Sequence, residues 1–447
     1  IALPASAGLS LILAAAATAG LANRLFGADT AAPDYLASPL LWLALLAAML
    51  YGLVALGRLR PRRYWQTFWL AVLGLALAFI AAGRPGALTA AYGDSAYFER
   101  VIGGGQPFAR WLLGAAVAGW LHLGLWLNPL LRPLLPAGWG SVATFIQLLS
   151  AAAVALGTLL LFRRTRRPLA LALASLSPLW LMFASGYSEY YPLIVVPFAF
   201  ALDYLFARPL RARPAAAIGL LSAGLPLLYA GFAPFSGLLL LAYGLARRER
   251  ALAAVAWTSV IAAAVVSVVW PAGVYNFIEN VYQQLNYGPN SSAFAAFNGQ
   301  ESALGIFFRP AFLLASVHVY VKSYMLFFGG GLASLALFLG AGLFWAWSQR
   351  GRPPGRLDLG RALLGLSFAG WSLAYAAFMI PKLPPRRDVD LFFFVPIVLG
   401  YLAGLFLSDA LGRRPGHAAV VWLLLAALLG TTAVNLQLLL FSGIPTA

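Results

Sequence analysis

Three short polar segments in this otherwise apolar chain contain the residue types that can do acid–base and phosphate chemistry. The first segment is YGDSAYFER, which contains Asp94, and the second is SGYSEYYP, in which Glu189 lies beside Tyr187 and Tyr190. Only 13 of the 447 residues are acidic, so each carboxylate needs an explanation. The third segment is PKLPPRRDVD, with the charged residues Lys382, Arg386, Arg387, Asp388 and Asp390.

Carboxylates near cations suit one kind of reaction. The guanidinium groups of arginine bind phosphate through two hydrogen bonds, and lysine binds it as a point charge. A carboxylate can then accept the proton of an attacking hydroxyl as a general base. We therefore expect a phosphate-bearing lipid substrate at these segments.

Each segment also has a structural interpretation that stays open on the sequence alone. Asp94 with Ser95 can cap a helix that starts at Ala96, with Glu99 near its first turn. Glu189 can pair with an arginine across the helices, and Asp388 and Asp390 can form solvated ion pairs in their loop.

Composition excludes some metal chemistry and leaves other metal chemistry open. The chain contains no cysteine and three scattered histidines, which excludes thiol catalysis and makes a histidine zinc site improbable. The DVD triplet at 388–390 is similar to the Asp-x-Asp of metal-dependent sugar transferases. A divalent metal is therefore an open expectation, and no other cofactor is expected.

The apolar content predicts a membrane protein built of helices. Hydrophobic residues make up 62% of the chain and charged residues 10%. Apolar windows of about 20 residues recur along it, and each is long enough to cross a hydrocarbon core of roughly 30 Å. We predict an all-α, polytopic integral membrane protein, with residues 1–447 as a single membrane domain.

The net charge of +17 is carried by short arginine bursts between these windows. Basic residues of multi-spanning proteins concentrate in cytoplasmic loops, so the bursts mark the inner side and do not indicate nucleic-acid binding. Nine of the thirteen acids then fall outside. The bursts are GRLRPRR at 57–63, RRTRR at 163–167, RPLRAR at 208–213, RRER at 247–250, RGRPPGR at 350–356 and GRR at 412–414.

Threading the chain through the bilayer on this basis predicts about thirteen spans in the plasma or inner membrane, starting inside and ending outside. Residues 1–22 are interpreted as a span rather than a signal peptide because no basic region precedes them. Two large outer loops are predicted at 84–140, with interfacial helices over 111–136, and at 271–325. The spans are 4–22, 39–57, 67–83, 141–162, 168–184, 190–206, 214–231, 235–246, 251–270, 326–347, 362–380, 391–408 and 418–440.

Taken together, these features resemble the C-type glycosyltransferase superfamily, whose multi-spanning members use polyprenyl-phosphate sugars. The resemblance rests on Asp94 early in the first outer loop, the interfacial helices after it, the acidic tyrosine-rich turn and the late loop PKLPPRRDVDLF. It implies sugar transfer at the outer face from a polyprenyl-phosphate donor to a glycan, lipid or protein hydroxyl.

The resemblance also implies roles for individual residues. Asp94 would be the general base, with Glu189 as the next candidate, and Tyr187 and Tyr190 would contact substrate together with Asp388 and Asp390. Cations from both late outer loops would stabilise the departing phosphate: Arg309, Lys322, Lys382, Arg386 and Arg387. The rival hypotheses are a lipid or solute transporter, which would place its acids near mid-membrane, and a noncatalytic assembly subunit.

Overall fold

The computed structural model describes twelve helices and short parts of the chain around them. The residues described are 66, 69–70, 72–74, 76–77, 95–104, 115–135, 141–184, 186–187, 190–269, 331–350, 359–378 and 392–413. All regular structure within these residues is helical, as the composition predicts.

The helices follow one another with short connections wherever the chain is described continuously. Short 3₁₀ turns connect several of them, including Ala230–Phe232 between α7 and α8. The bounds are α1 Ser95–Ile102, α2 Ala115–Leu131, α3 Val142–Arg164, α4 Pro168–Ser175, α5 Pro178–Ala184, α6 Tyr191–Ala207, α7 Ala215–Leu228, α8 Ala233–Ala246, α9 Ala251–Val269, α10 Gly331–Gln349, α11 Leu359–Phe378 and α12 Phe394–Arg413.

Eight of the predicted spans coincide with one helix each, α3 and α6 to α12, and their ends agree within five residues. The segment predicted over 67–83 is helical at the residues described between 66 and 77. The predicted interfacial region over 111–136 contains α2. The predictions for 4–22, 39–57, 271–325 and 418–440 lie outside the described residues.

The prediction of one continuous helix over 168–184 is wrong, because this segment is two short helices, α4 and α5. The helix breaks at Leu176 and Ser177, where the hydroxyl of Ser177 accepts a hydrogen bond from the backbone N–H of Trp180 at 3.4 Å. Pro178 supplies no N–H and disfavours helical geometry in the residue before it. Ser177 therefore caps a new helix inside the apolar segment.

Helix length separates the longer elements from the shorter ones. Among the described residues, α3 and α12 pass a length and hydropathy test for crossing a membrane, with 23 and 20 residues. The apolar helices α7 and α8 have 14 residues each. At 1.5 Å per residue this is about 21 Å, less than a bilayer core of roughly 30 Å. Helices α7 and α8 are therefore each shorter than such a core, whereas α3 is longer.

The core is organised around α12, which is buried along nearly its whole length. Two glycines one turn apart let α12 approach α4 so closely that the backbones of the two helices pack directly on each other. A Cβ atom at Gly404 would lie 2.4 Å from Cα of Ala170, and one at Gly400 would lie 2.8 Å from the carbonyl oxygen of Leu173. Small residues at this spacing are typical of close helix pairs in membranes.

The arginine-bearing ends of several helices meet at one end of the structure. Arg361 at the start of α11 donates to the carbonyl oxygen of Phe206 near the end of α6, at 3.1 Å. Arg247, after α8, donates to the carbonyl oxygen of Arg211 at 2.8 Å. We call this the basic end. The predicted clustering of arginines on one side agrees with these contacts.

Two aspartates, the half-buried Asp203 and the buried Asp409, stabilise helix contacts towards the basic end. Asp203 accepts hydrogen bonds from the hydroxyls of Thr165, at 2.5 Å, and Tyr401, at 3.1 Å. Asp409 accepts from the indole of Trp345 at 2.9 Å and forms an ion pair with Arg413 at 3.3 Å. Their hydrogen bonds offset the desolvation of a buried carboxylate.

Candidate functional site

Aromatic side chains gather at the end of the structure opposite the basic end. The ring of Tyr191, at the start of α6, lies 5.4 Å from Phe393 and 6.1 Å from both Phe183 and Tyr229, between centroids. These residues come from the ends of α5, α6, α7 and α12. We call this group the aromatic end.

The tyrosine-rich turn SGYSEYYP forms one wall of the aromatic end. Gly186 has a φ of +106°, a conformation that glycine adopts without steric cost, and the chain reverses there between α5 and α6. Tyr187 is buried, with its ring 5.4 Å from Phe183, whereas Tyr190 is only partly buried and stacks on Tyr191 at 4.3 Å. Glu189 lies outside the described residues.

Helix α1 packs against this same turn. Val101 and Ile102 are buried in a small cluster with Phe145 of α3, and Tyr190 packs on that cluster. The side-chain amide of Asn128, on α2, donates to the carbonyl oxygen of Ile102 at 3.2 Å. Helix α1 and the tyrosine-rich turn are therefore in contact. Helix α1 begins at Ser95, the residue after Asp94, and Asp94 itself lies outside the described residues.

A cleft of about 440 Å³ opens between α1 and the start of α3, and it contains a carboxylate. It is lined by Glu99 and Arg100 on one side and by Ser141, Val142 and Ala143 on the other. Oε1 of Glu99 is buried and has no hydrogen-bond partner in the described part of the chain. Burial raises the pKa of Glu99 above its ordinary value of 4.5.

Burial disfavours the charged form of the Glu99 carboxyl group, so it binds a proton more readily than an exposed glutamate does. Ser141 caps α3 by accepting from the backbone N–H of Thr144 at 3.1 Å, so the cleft also borders the positive end of a long helix, which acts in the opposite direction by favouring a carboxylate. Glu99, placed by the sequence only near the first turn of a helix, is therefore an additional candidate acid or base.

The turn between α7 and α8 also contacts the aromatic end, through Tyr229. The hydroxyls of Tyr229 and Tyr375 lie 2.7 Å apart, and the indole N–H of Trp371 donates to the carbonyl oxygen of Gly231 at 3.0 Å. These contacts join α11 and the α7–α8 turn to the aromatic end.

The structure describes two of the eleven predicted site residues, Tyr187 and Tyr190. The other nine lie outside the described residues: Asp94, Glu189, Arg309, Lys322, Lys382, Arg386, Arg387, Asp388 and Asp390. Two of the segments that carry them flank described parts of the aromatic end. Phe392 and Phe393 follow the 381–390 segment, and Phe393 contacts Tyr191.

Metal ligands do not cluster in the described part of the chain, where no group of three or more histidine, aspartate or glutamate residues is placed to hold an ion. Asp203 and Asp409 were not predicted as special positions. For Asp409 a signal was present, because an acid four residues before Arg413 on a helix predicts an i,i+4 ion pair.

Comparison with known protein families, with characterised proteins and with solved structures finds no match to this chain.

Proposed function

We propose that this chain is a multi-pass membrane glycosyltransferase that moves a sugar from a polyprenyl-phosphate donor to an acceptor hydroxyl. The reaction takes place at the aromatic end, which faces the periplasm or cell exterior in this proposal. The resemblance to the C-type glycosyltransferases described above is the basis for the reaction type, and contacts among the described helices support the proposed location.

One observation carries the proposal: the flanks of three polar segments that are distant in sequence meet at the aromatic end. Helix α1 follows Asp94, Tyr190 follows Glu189, and Phe393 lies three residues after Asp390. Contacts of Tyr190 with the α1 cluster and of Phe393 with Tyr191 join all three flanks. An enzyme needs its base and its cations at one place if they are to act on one substrate.

Multi-pass insertion is supported by helix lengths and by charge. Helices α9, α10 and α11 have 19, 19 and 20 residues, or roughly 29–30 Å at 1.5 Å per residue. Helix α9 contains no charged residue. The joining of arginine-bearing helix ends at the basic end agrees with a cytoplasmic side on the positive-inside rule.

The proposed reaction inverts the configuration at the anomeric carbon of the sugar. The acceptor oxygen attacks the anomeric carbon while the bond from that carbon to the phosphate oxygen breaks, and the phosphate leaves with the bonding electrons. Asp94 accepts the acceptor's proton. Arg309, Lys322, Lys382, Arg386 and Arg387 stabilise the charge on the departing phosphate. Tyr190 and the adjacent aromatic rings contact the sugar or the first isoprene units.

The proposal is tested with the purified protein in lipid nanodiscs and a panel of polyprenyl-phosphate hexoses and pentoses. The measured quantity is release of polyprenyl phosphate with and without sugar acceptors. We expect at least one donor to be consumed, and Glu249→Gln, at the basic end, to leave the rate unchanged. Glu249 is exposed and pairs with Arg247, far in sequence from every proposed site residue. If a folded preparation consumes none of the donors, the proposal is wrong.

A transporter is the second candidate, because the break between α4 and α5 is a specific feature of that class. Discontinuous helices in secondary transporters expose backbone groups to a substrate inside the membrane. Here Ser177 caps the break and is itself buried. Flux of labelled polyprenyl-phosphate sugar across proteoliposomes, without chemical conversion, would favour the transporter.

A further inference from the structure

An apolar groove of about 690 Å³ runs between α3, α6 and α7, and its lining extends from Arg164 to Leu228, the residue before Tyr229. Its walls include Leu160, Phe200 and Leu220, which are respectively 57%, 45% and 58% exposed. Exposed side chains of this size on three adjacent helices form a continuous apolar surface. The volume lies within the range of small-molecule binding sites, about 300–1,000 Å³.

The groove has one charged lining residue, Arg164, which lies at the last position of α3 towards the basic end. Its side chain is exposed, and no hydrogen bond or ion pair engages it within the described part of the chain. Gly157, also in the groove lining, lies seven residues earlier on α3, about 10 Å away along the helix axis. The groove therefore combines an apolar channel with a cation at one end.

We propose that this groove binds one acyl chain of an anionic glycerophospholipid, with the lipid phosphate at Arg164. An arginine guanidinium binds phosphate oxygens in a bidentate manner. The other arginines of the basic end, Arg163 and Arg166 among them, attract anionic lipids in the adjacent leaflet. The polyprenyl-phosphate donor is not the proposed occupant, because its phosphate is assigned to the cations near the aromatic end and not to Arg164. The inference rests on the membrane insertion proposed above.

One glycine makes the groove testable without disturbing the fold. A Cβ atom at Gly224, which lines the groove, would meet no atom within 4 Å. Gly224→Leu therefore adds a side chain to open space and fills the groove. Gly370→Leu on α11 is the matched control, since a Cβ there also meets nothing within 4 Å and Gly370 does not line the groove.

The experiment is native mass spectrometry of the detergent-purified full chain with added phosphatidylglycerol or phosphatidylcholine of identical acyl chains. We expect the wild type and Gly370→Leu to bind phosphatidylglycerol in preference to phosphatidylcholine. Gly224→Leu should lose at least about tenfold of this occupancy. Arg164→Gln should keep chain binding but lose about fivefold in preference for the anionic lipid, the size expected for one cation near a membrane surface.

Each other result overturns the inference in a recognisable way. Unchanged lipid occupancy in Gly224→Leu excludes this groove as the site, and equal binding of both lipids excludes phosphate recognition at Arg164. Displacement of the bound lipid by polyprenyl phosphate would assign the groove to the donor instead. Recovery of the wild type in the soluble fraction without detergent would refute membrane insertion itself, which separates failure of the proposed function from failure of the groove.

Discussion

Replacing Gly404 with alanine should destabilise the central helix contact of the structure. The added Cβ would lie 2.4 Å from Cα of Ala170 and 2.8 Å from the carbonyl oxygen of Leu169. Both neighbours are backbone atoms of α4, so they cannot rotate away. To restore an ordinary contact of 3.4 Å, α12 and α4 must separate by about 1 Å. Overpacking of this kind costs roughly 1–3 kcal/mol.

The assay is thermal or denaturant-induced unfolding in detergent micelles, followed by tryptophan fluorescence. Gly412→Ala is the control, because it lies on the same helix and its Cβ meets nothing within 4 Å. Alanine is favoured over glycine in a helix by about 0.5–1 kcal/mol, so the control should be as stable as the wild type or more stable. Equal stability of Gly404→Ala and Gly412→Ala would refute the close packing of α12 on α4.

Three further predictions concern topology, donor binding and pH. Single cysteines introduced at Arg166 and Arg413 should be protected from an impermeant thiol reagent in whole cells, whereas those at Glu189 and Asp388 should react with it. Labelling of position 166 from outside would overturn the topology. Arg386→Ala and Arg387→Ala should each weaken donor binding by about 2–5 kcal/mol, with Lys382→Ala milder, and unchanged donor affinity in both arginine variants would remove them from the site. Because burial raises the pKa of Glu99, its stabilising contribution is complete below pH 4.5 and is lost as the pH rises through the raised pKa. The melting temperature of Glu99→Gln should therefore gain on that of the wild type as pH rises above 4.5, and parallel curves would contradict the burial of this carboxylate.

Much of the helix arrangement could be predicted because arginine bursts mark one end of many apolar runs. The end of α3 at Arg164 and the start of α9 after Arg250 follow this rule closely. The break at Ser177 could not be found from hydropathy, since leucine and alanine continue on both sides of it. The Ser-Pro pair at 177–178 was the available signal, because proline favours the first turn of a new helix.

The candidate site was less predictable because it depends on contacts between distant parts of the chain. The tyrosine-rich turn was recognised by its composition, but nothing local indicates that Ile102 lies near Tyr190. For Glu99, the sequence places an acid shortly after a possible helix start. Its burial follows from packing of α1 on the start of α3, which is a tertiary contact.

Turnover by Asp94→Asn, measured with a polyprenyl-phosphate sugar that the wild type consumes, tests the central claim most directly. Asparagine caps a helix about as well as aspartate, so a capping role predicts normal folding and nearly normal transfer. A general base contributes roughly 10²–10⁴-fold to the rate, and an amide cannot accept the proton. We predict a folded variant that still binds the donor and has lost at least about a hundredfold in turnover. Nearly wild-type transfer by Asp94→Asn would contradict the account and leave Glu189 or Glu99 as the base.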